Sequence, residues 1–200
     1  MQQPALTDNP PARPEAMEFL LSRRSRPAKM LSAPAPDAAV LERLLTAAAR
    51  VPDHGKLEPW RFIVIAPAAL ARLAARIEAR GADLGLDPEQ TAKAAQTFRA
   101  APLVVAVVHS PKPSEKIPAF EQLMSSGAVC LGLVNAALAQ GFGACWLTGW
   151  PAFDRPFLEG SLGLGAQELI AGFVHIGSCD ATPPERPRPD VAALITRLEA

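Results

Sequence analysis

The run Pro102-Leu-Val-Val-Ala-Val-Val-His109 decides the fold class. Its valines favour extended backbone, and a short continuous apolar run suits a buried strand better than a helix. No polar residue alternates with the apolar ones, which is the pattern of a strand covered on both faces. Such a strand needs a layer of helices on either side of its sheet.

Reading outward from this strand supplies those layers. Upstream, Pro88 opens a short helix ending near Arg99. Before it, Pro67 opens another, with Leu70, Leu73, Ala74 and Ile77 inward and Gly81 past its end. Trp60–Ala66 is expected to be a short buried strand. Asp37 is a good N-cap for a helix whose Val40, Leu41, Leu44, Leu45 and Ala48 form an apolar stripe ending near Arg50. Pro14 begins the first helix, with Met17, Leu20 and Leu21 on one face, and Pro27 follows its end closely. Downstream, the proline-rich loop Ser110–Pro118 is a lid or excursion. Ala119–Gln140 is a long helix, apolar nearly all round in its second half and stopped at Gly141, so it belongs in a core or a subunit interface. Strands are expected at Gly143–Trp150 and Glu168–Gly177, with short helices at Pro151–Glu159 and Asp190–Leu198. Residues 1–13 lack periodicity and are expected to be a flexible arm. Residues 14–200 form one α+β domain, a central, mainly antiparallel sheet of four or five strands flanked by helices.

Composition excludes several classes. With 200 residues, 49% of them hydrophobic and 20% charged, the chain is a single globular domain rather than a disordered one. Twenty basic residues balance twenty acidic ones, so no net field recruits nucleic acid or anionic lipid. The longest apolar stretches, Ala101–Val108 and Gly127–Ala139, fall short of the ~20 residues of a membrane span. Met1–Glu15 has no apolar core and is not a signal peptide. Cys130, Cys145 and Cys179 form neither an even set nor a C-x-x-C pair, which favours reduced thiols and a cytoplasmic location. No phosphate-binding loop or G-x-S-x-G elbow is present. Gly141-Phe-Gly143 and Gly163-Leu-Gly165 both lack the third glycine of a dinucleotide fingerprint. His54, His109 and His175 do not stand at metal-ligand spacing, so no metal is expected.

Three polar groups are stranded at element ends. Arg23, Arg24 and Ser25 follow the first helix, either as an oxyanion cradle or as simple compensation of the helix dipole. Arg50 and His54 flank the loop before Pro59-Trp60; together they could hold the polar edge of a ring, or Asp53 could cap His54 in water. Cys145-Trp146-Leu147-Thr148-Gly149 ends a strand, and its Trp is either a wall for a flat ligand or a core residue.

In this order the pieces resemble the nitroreductase family of FMN-dependent NAD(P)H oxidoreductases, from about Met17 to Gly177. They are Arg23-Arg24-Ser25, Ala49-Arg-Val-Pro-Asp-His54 leading to Pro59-Trp60-Arg-Phe62, Ala139-Gln-Gly-Phe-Gly143, and Trp146-Leu-Thr-Gly149. The first two are similar to those of a compact branch of the family. The resemblance implies a nitroreductase-like sandwich that is a homodimer with FMN at the subunit interface. It also implies that Arg23, Arg24, Ser25, Trp146, Leu147 and Thr148 hold the flavin from one subunit, and Arg50 and His54 from the other. The nicotinamide nucleotide contact falls on Ala136, Ala137, Leu138, Ala139, Gln140 and Gly141. NADH or NADPH would reduce the flavin at N5, and a nitroaromatic, quinone or enone would then take the electrons in a ping-pong cycle, with no catalytic side chain required.

Two departures stand out: broader members show a Ser-rich loop with Asn and Gln before the Pro-Trp, whereas this chain has Asp53, His54, Lys56 and Glu58, and the second lies just after Ser25. Many members carry a Lys two residues after the Ser, where this chain has Pro27; Arg26 or Lys29 is the replacement cation. Arg186 or Arg188 is the candidate for a C-terminal phosphate ligand. Three alternatives remain open: a protein that stores, senses or degrades FMN, a thiol enzyme using Cys145, and a dimeric interaction module.

Overall fold

The computed structural model describes residues 11–198, so most of the expected arm, residues 1–10, lies outside the described residues. Strand β2 (Leu103–His109) is buried along its whole length at the centre of the sheet. It pairs antiparallel with β1 (Trp60–Ile65) on one side and with β4 (Leu169–Gly177) on the other. Strand β3 (Gly143–Leu147) pairs antiparallel with β4, giving four strands in the order β1-β2-β4-β3.

The alternation of side chains along β2 and β4 separates two cores. Val104, Ala106, Val108 and Phe173 face a layer made by α3 (Pro67–Asp83), α4 (Pro88–Arg99) and α6 (Arg155–Leu162). Val105, Val107, Val174 and Ile176 face the opposite layer, made by α2 (Ala38–Ala48) and α5 (Ala119–Ala139). Leu70, Leu73, Ala74 and Ile77 are all buried, as their spacing predicts.

Several local expectations change. β1 is an edge strand with hydrogen-bonded neighbours on one side only, and of its residues only Ile65 is buried. Gly81 lies inside α3 rather than past its end. A methyl there would collide with Thr91, so the glycine lets α4 approach closely. The left-handed residue after α3 is Gly85, at φ 64°. β3 stops at Leu147, and Trp150–Ala152 make a single 3-10 turn, so helix α6 starts only at Arg155. Its start is set by Asp154, whose carboxylate accepts the Phe157 N–H at 3.0 Å. The expected C-terminal helix is reduced to one turn, Ala192–Leu194. Val191, Leu194 and Leu198 are exposed there, and a helix that short does not persist without an apolar surface to pack on.

Two helices leave apolar side chains uncovered. α1 (Pro14–Ser22) buries none of its residues, and Met17, Leu20 and Leu21 are all exposed. α5 packs one face on the sheet and on α2 but exposes Phe120, Leu123, Met124 and Leu131. Counted from Ala119, α5 is 21 residues long and apolar enough to match a membrane span by length and composition, which the shorter stretch Gly127–Ala139 alone does not. Here that apolarity serves the interior of the domain, where Val129, Cys130, Leu133, Val134 and Ala137 are buried.

Candidate functional site

The chain leaves α1 at Ser22 because the Arg23 N–H closes the last turn on the Phe19 carbonyl, at 2.7 Å, and Pro27 lies just ahead. Arg23–Arg26 then run beside the outer edge of β3, where the Arg26 N–H donates to the Ala144 carbonyl at 2.8 Å. The guanidinium of Arg23 donates to Ser25 Oγ at 3.1 Å, and that of Arg24 to the Pro184 carbonyl at 2.9 Å. The Nε atoms of Arg23 and Arg24 and one terminal nitrogen of Arg26 are buried without an acceptor. Burial lowers the pKa of Arg23, and repulsion from Arg188 and Arg24 lowers it further. Arg188 therefore stands close enough to be felt by Arg23, with its own Nε donating to Glu185 at 2.9 Å. Buried N–H donors without acceptors are costly, and several cations around them make an anion the natural remedy.

Trp146 and Leu147 end β3, and Thr148 and Gly149 follow. All four are exposed; Trp146 is 42% accessible and is not a core residue. Its indole N–H donates to the Ala171 carbonyl at 3.1 Å, and its ring lies across Gly172 on β4, where a methyl would overlap it. Beyond the ring, on α5, a Cβ at Gly127 would meet the indole at 3.8 Å. Glycine inside a strand marks a close approach of another group, here the Trp146 ring.

Behind this strand end is a cavity of about 400 Å³ lined by Phe98, Leu147, Thr148, Pro151, Phe173 and His175, among others. His175 is fully buried, neither ring nitrogen has a partner, and burial pushes its pKa down to about 4. It is thus neutral at pH 7, packed edge-on to Phe98 with ring centroids 5.6 Å apart.

Arg50 and His54 occupy a different surface. Arg50 is exposed just past α2. His54 opens a tight loop in which Gly55, Lys56 and Glu58 all have left-handed backbone, at φ 72°, 55° and 48°. The Asp53 carboxylate holds that loop by accepting the Leu57 N–H at 3.2 Å and the Glu58 N–H at 2.8 Å. His54 is not held by Asp53; its Nδ1 lies 2.7 Å from Oε2 of Glu121, in the first turn of α5. The loop is also tied to α5 through Ser125, whose hydroxyl donates to the Pro52 carbonyl at 2.8 Å. The hollows lined by His54 and by Arg50 are distinct from each other and from the cavity beside Trp146, and the His54 ring bonds Glu121 rather than any residue of the Arg23 and Trp146 group.

Ala136–Gly141 form the C-terminal end of α5, just ahead of β3. Ala137 is buried, Ala139, Gln140 and Gly141 are exposed, and Gly141 ends the helix at φ 88°. Burial pushes the Cys145 thiol up to about 11 and the Cys130 thiol up to about 12, so neither is a thiolate at neutral pH. Glu121, Gly172 and Gly127 are the site-side residues that sequence reading misses. Only Gly172 carried a signal, as a glycine within a strand pattern.

Comparison with known proteins yields a consistent set of matches. A family model described as the nitroreductase family matches residues 20–178. An Escherichia coli K12 protein named "Putative NAD(P)H nitroreductase YdjA" is 35% identical over 164 residues, covering 82% of this chain and 88% of that protein. A Haemophilus influenzae protein named "Putative NAD(P)H nitroreductase" is 38% identical over 166 residues, again covering 82% and 88%. Among solved structures, a nitroreductase-like family protein from Bacillus cereus superposes with a TM-score of 0.78 at 21% identity, covering 98% of this chain and 100% of that one. A Bacteroides fragilis nitroreductase with bound FMN superposes with a TM-score of 0.71 at 25% identity, covering 92% and 99%.

Proposed function

The chain belongs to the nitroreductase family and is an oxidoreductase of the NAD(P)H nitroreductase type, and we propose that it holds FMN in a site shared between two copies of itself and reduces a nitroaromatic, quinone or enone. The observation that carries the reading is the set of buried, unpartnered nitrogens on Arg23, Arg24 and Arg26, with Arg23 repelled by both Arg188 and Arg24. A dianionic phosphate supplies the acceptors these groups lack and relieves their mutual repulsion. When bound, FMN supplies the two-electron chemistry, with NADH or NADPH as its reductant.

The protein's own contribution is binding and orientation. Arg23 and Arg24 take the phosphate end, with Arg188 in preference to Arg186 as the C-terminal cation, and Ser25 adds a neutral hydroxyl donor. Trp146, Leu147 and Thr148 offer an exposed edge against which a flat ring rests. Arg26 is the better candidate than Lys29 for the cation displaced by Pro27, because one of its terminal nitrogens is buried and free. Ala136–Gly141 is the nicotinamide nucleotide contact carried over from the family pattern.

Two features favour a homodimer. Arg50 and His54 lie on a different surface of the protomer from the Arg23 and Trp146 group, and the exposed apolar side chains of α1 and α5 form the kind of surface a subunit interface covers.

The test is the visible spectrum of the purified protein before and after NADPH is added without oxygen. A flavin spectrum that bleaches, and returns with a nitroaromatic or quinone, is expected. Flavin that fails to bleach points instead to storage or sensing, and no flavin after reconstitution rejects the reading. Arg24→Ala is expected to weaken FMN binding about tenfold or more, as loss of a charge-assisted hydrogen bond does. Fluorescence titration with FMN checks this, and full occupancy at low FMN would remove Arg24 from the phosphate site.

A further inference from the structure

We propose that Glu121 is a positioning residue for His54. It holds the imidazole with its proton on Nδ1 and so leaves Nε2 as a hydrogen-bond acceptor for an N–H or O–H group of the ligand in the shared site. The proposal rests on the functional reading above, which brings His54 to the cofactor of the other copy.

The chemistry of the pair fixes the tautomer. A carboxylate only accepts hydrogen bonds, and Nδ1 lies 2.7 Å from Glu121 Oε2, so Nδ1 carries the proton. Neutral imidazole has one donor and one acceptor nitrogen, and Nε2 is then the acceptor. Free histidine in water prefers the opposite tautomer, so the carboxylate reverses the intrinsic preference.

The backbone independently favours a placement role. Lys56 and Glu58 are non-glycine residues with left-handed φ, a conformation that costs energy and persists only where its surroundings enforce it. Both clamps are visible: Asp53 accepts two backbone N–H groups within the loop, and Gly55 lies so close to the Ile117 side chain that a methyl would collide. Ser125 ties Pro52 to the same helix that carries Glu121. Yet the His54 side chain at the head of this rigid loop is 64% exposed and lines an open hollow with Phe120 and Met124. A solvent-facing imidazole does not need such a loop for stability, whereas one that must meet a ligand in a fixed pose does.

The test begins with imidazole nitrogen NMR on the cofactor-free protein, at a pH where His54 is neutral. Nδ1 is expected to be protonated in the wild type, and Glu121→Ala to return the ring to the Nε2–H form. Glu121→Gln, whose amide oxygen can still accept, is expected to retain the wild-type tautomer. FMN titrations then compare His54→Ala, Glu121→Ala and the double variant. Each single change is expected to weaken binding about tenfold, with the double variant no weaker than His54→Ala. An unchanged tautomer in Glu121→Ala, additive losses, or full affinity in His54→Ala would each overturn the proposal. Failure of the functional reading itself shows separately, as a wild-type protein that binds no FMN.

Discussion

Gly172→Ala is expected to dislodge Trp146 and weaken FMN binding about tenfold or more while leaving the sheet intact. Alanine is acceptable within a strand, so β4 itself tolerates the change. The added methyl occupies the space of the indole ring, and the ring is free to move because it is 42% exposed. Its displacement breaks the hydrogen bond from Nε1 to the Ala171 carbonyl, at a cost of about 1 kcal/mol in stability. The functional cost is larger, because the proposed flavin wall then has no fixed face. FMN titration reads the affinity, and a fluorescence difference spectrum against Trp146→Phe reads the ring's environment. If the glycine acts only through the indole, adding Trp146→Ala to Gly172→Ala costs no further affinity. Retention of both wild-type affinity and the wild-type indole spectrum in Gly172→Ala would show that the ring is not pinned there.

The second large effect is a loss of stability in mild acid that traces to His175. Burial holds its pKa near 4, against 6.5 when unfolded. Between those values the unfolded chain binds the extra proton and the folded chain does not. Stability from this group is therefore complete above about pH 6.5 and is lost as pH falls toward 4, by roughly 3 kcal/mol in all. His109 has a pKa lowered by burial and contributes in the same direction. Glu168 extends the loss to lower pH, because its hydrogen bonds with Arg61, foremost among several causes, hold it near 2; its contribution fades as pH falls from 4.5 toward 2. His175→Phe keeps an aromatic ring beside Phe98 and removes the titration. Urea unfolding at pH 7.5 and pH 4.5 should show a clearly smaller difference in the variant than in the wild type, and an equal difference would assign the acid sensitivity elsewhere.

The legible parts of the fold are those where one local signal suffices. The valine-rich apolar run at 103–109 has the pattern of a covered strand, and α3 was marked by its four inward residues and by Pro67 at its start. The C-terminal helix misled because Val191, Leu194 and Leu198 have helical spacing but nothing to pack against. Gly81 misled because a glycine that ends a helix and one that admits a neighbouring helix are identical in sequence. The candidate site divides in the same way. Arg23, Arg24 and Ser25 are three consecutive residues and Trp146–Gly149 form one short string, so each candidate group is visible locally in the sequence. Glu121 is 67 residues from His54 and carries no local mark.

The order of elements, the covered central strand and the arginine and tryptophan motifs are properties of the sequence alone, because each depends on neighbours within a few residues. Tertiary structure decided which of these face one another. It set the strand order β1-β2-β4-β3, laid the Trp146 ring over Gly172, brought Arg188 toward Arg23, and gave His54 its carboxylate partner. Those pairings follow from packing two helical layers on a twisted sheet, which joins residues that no local pattern in the chain relates.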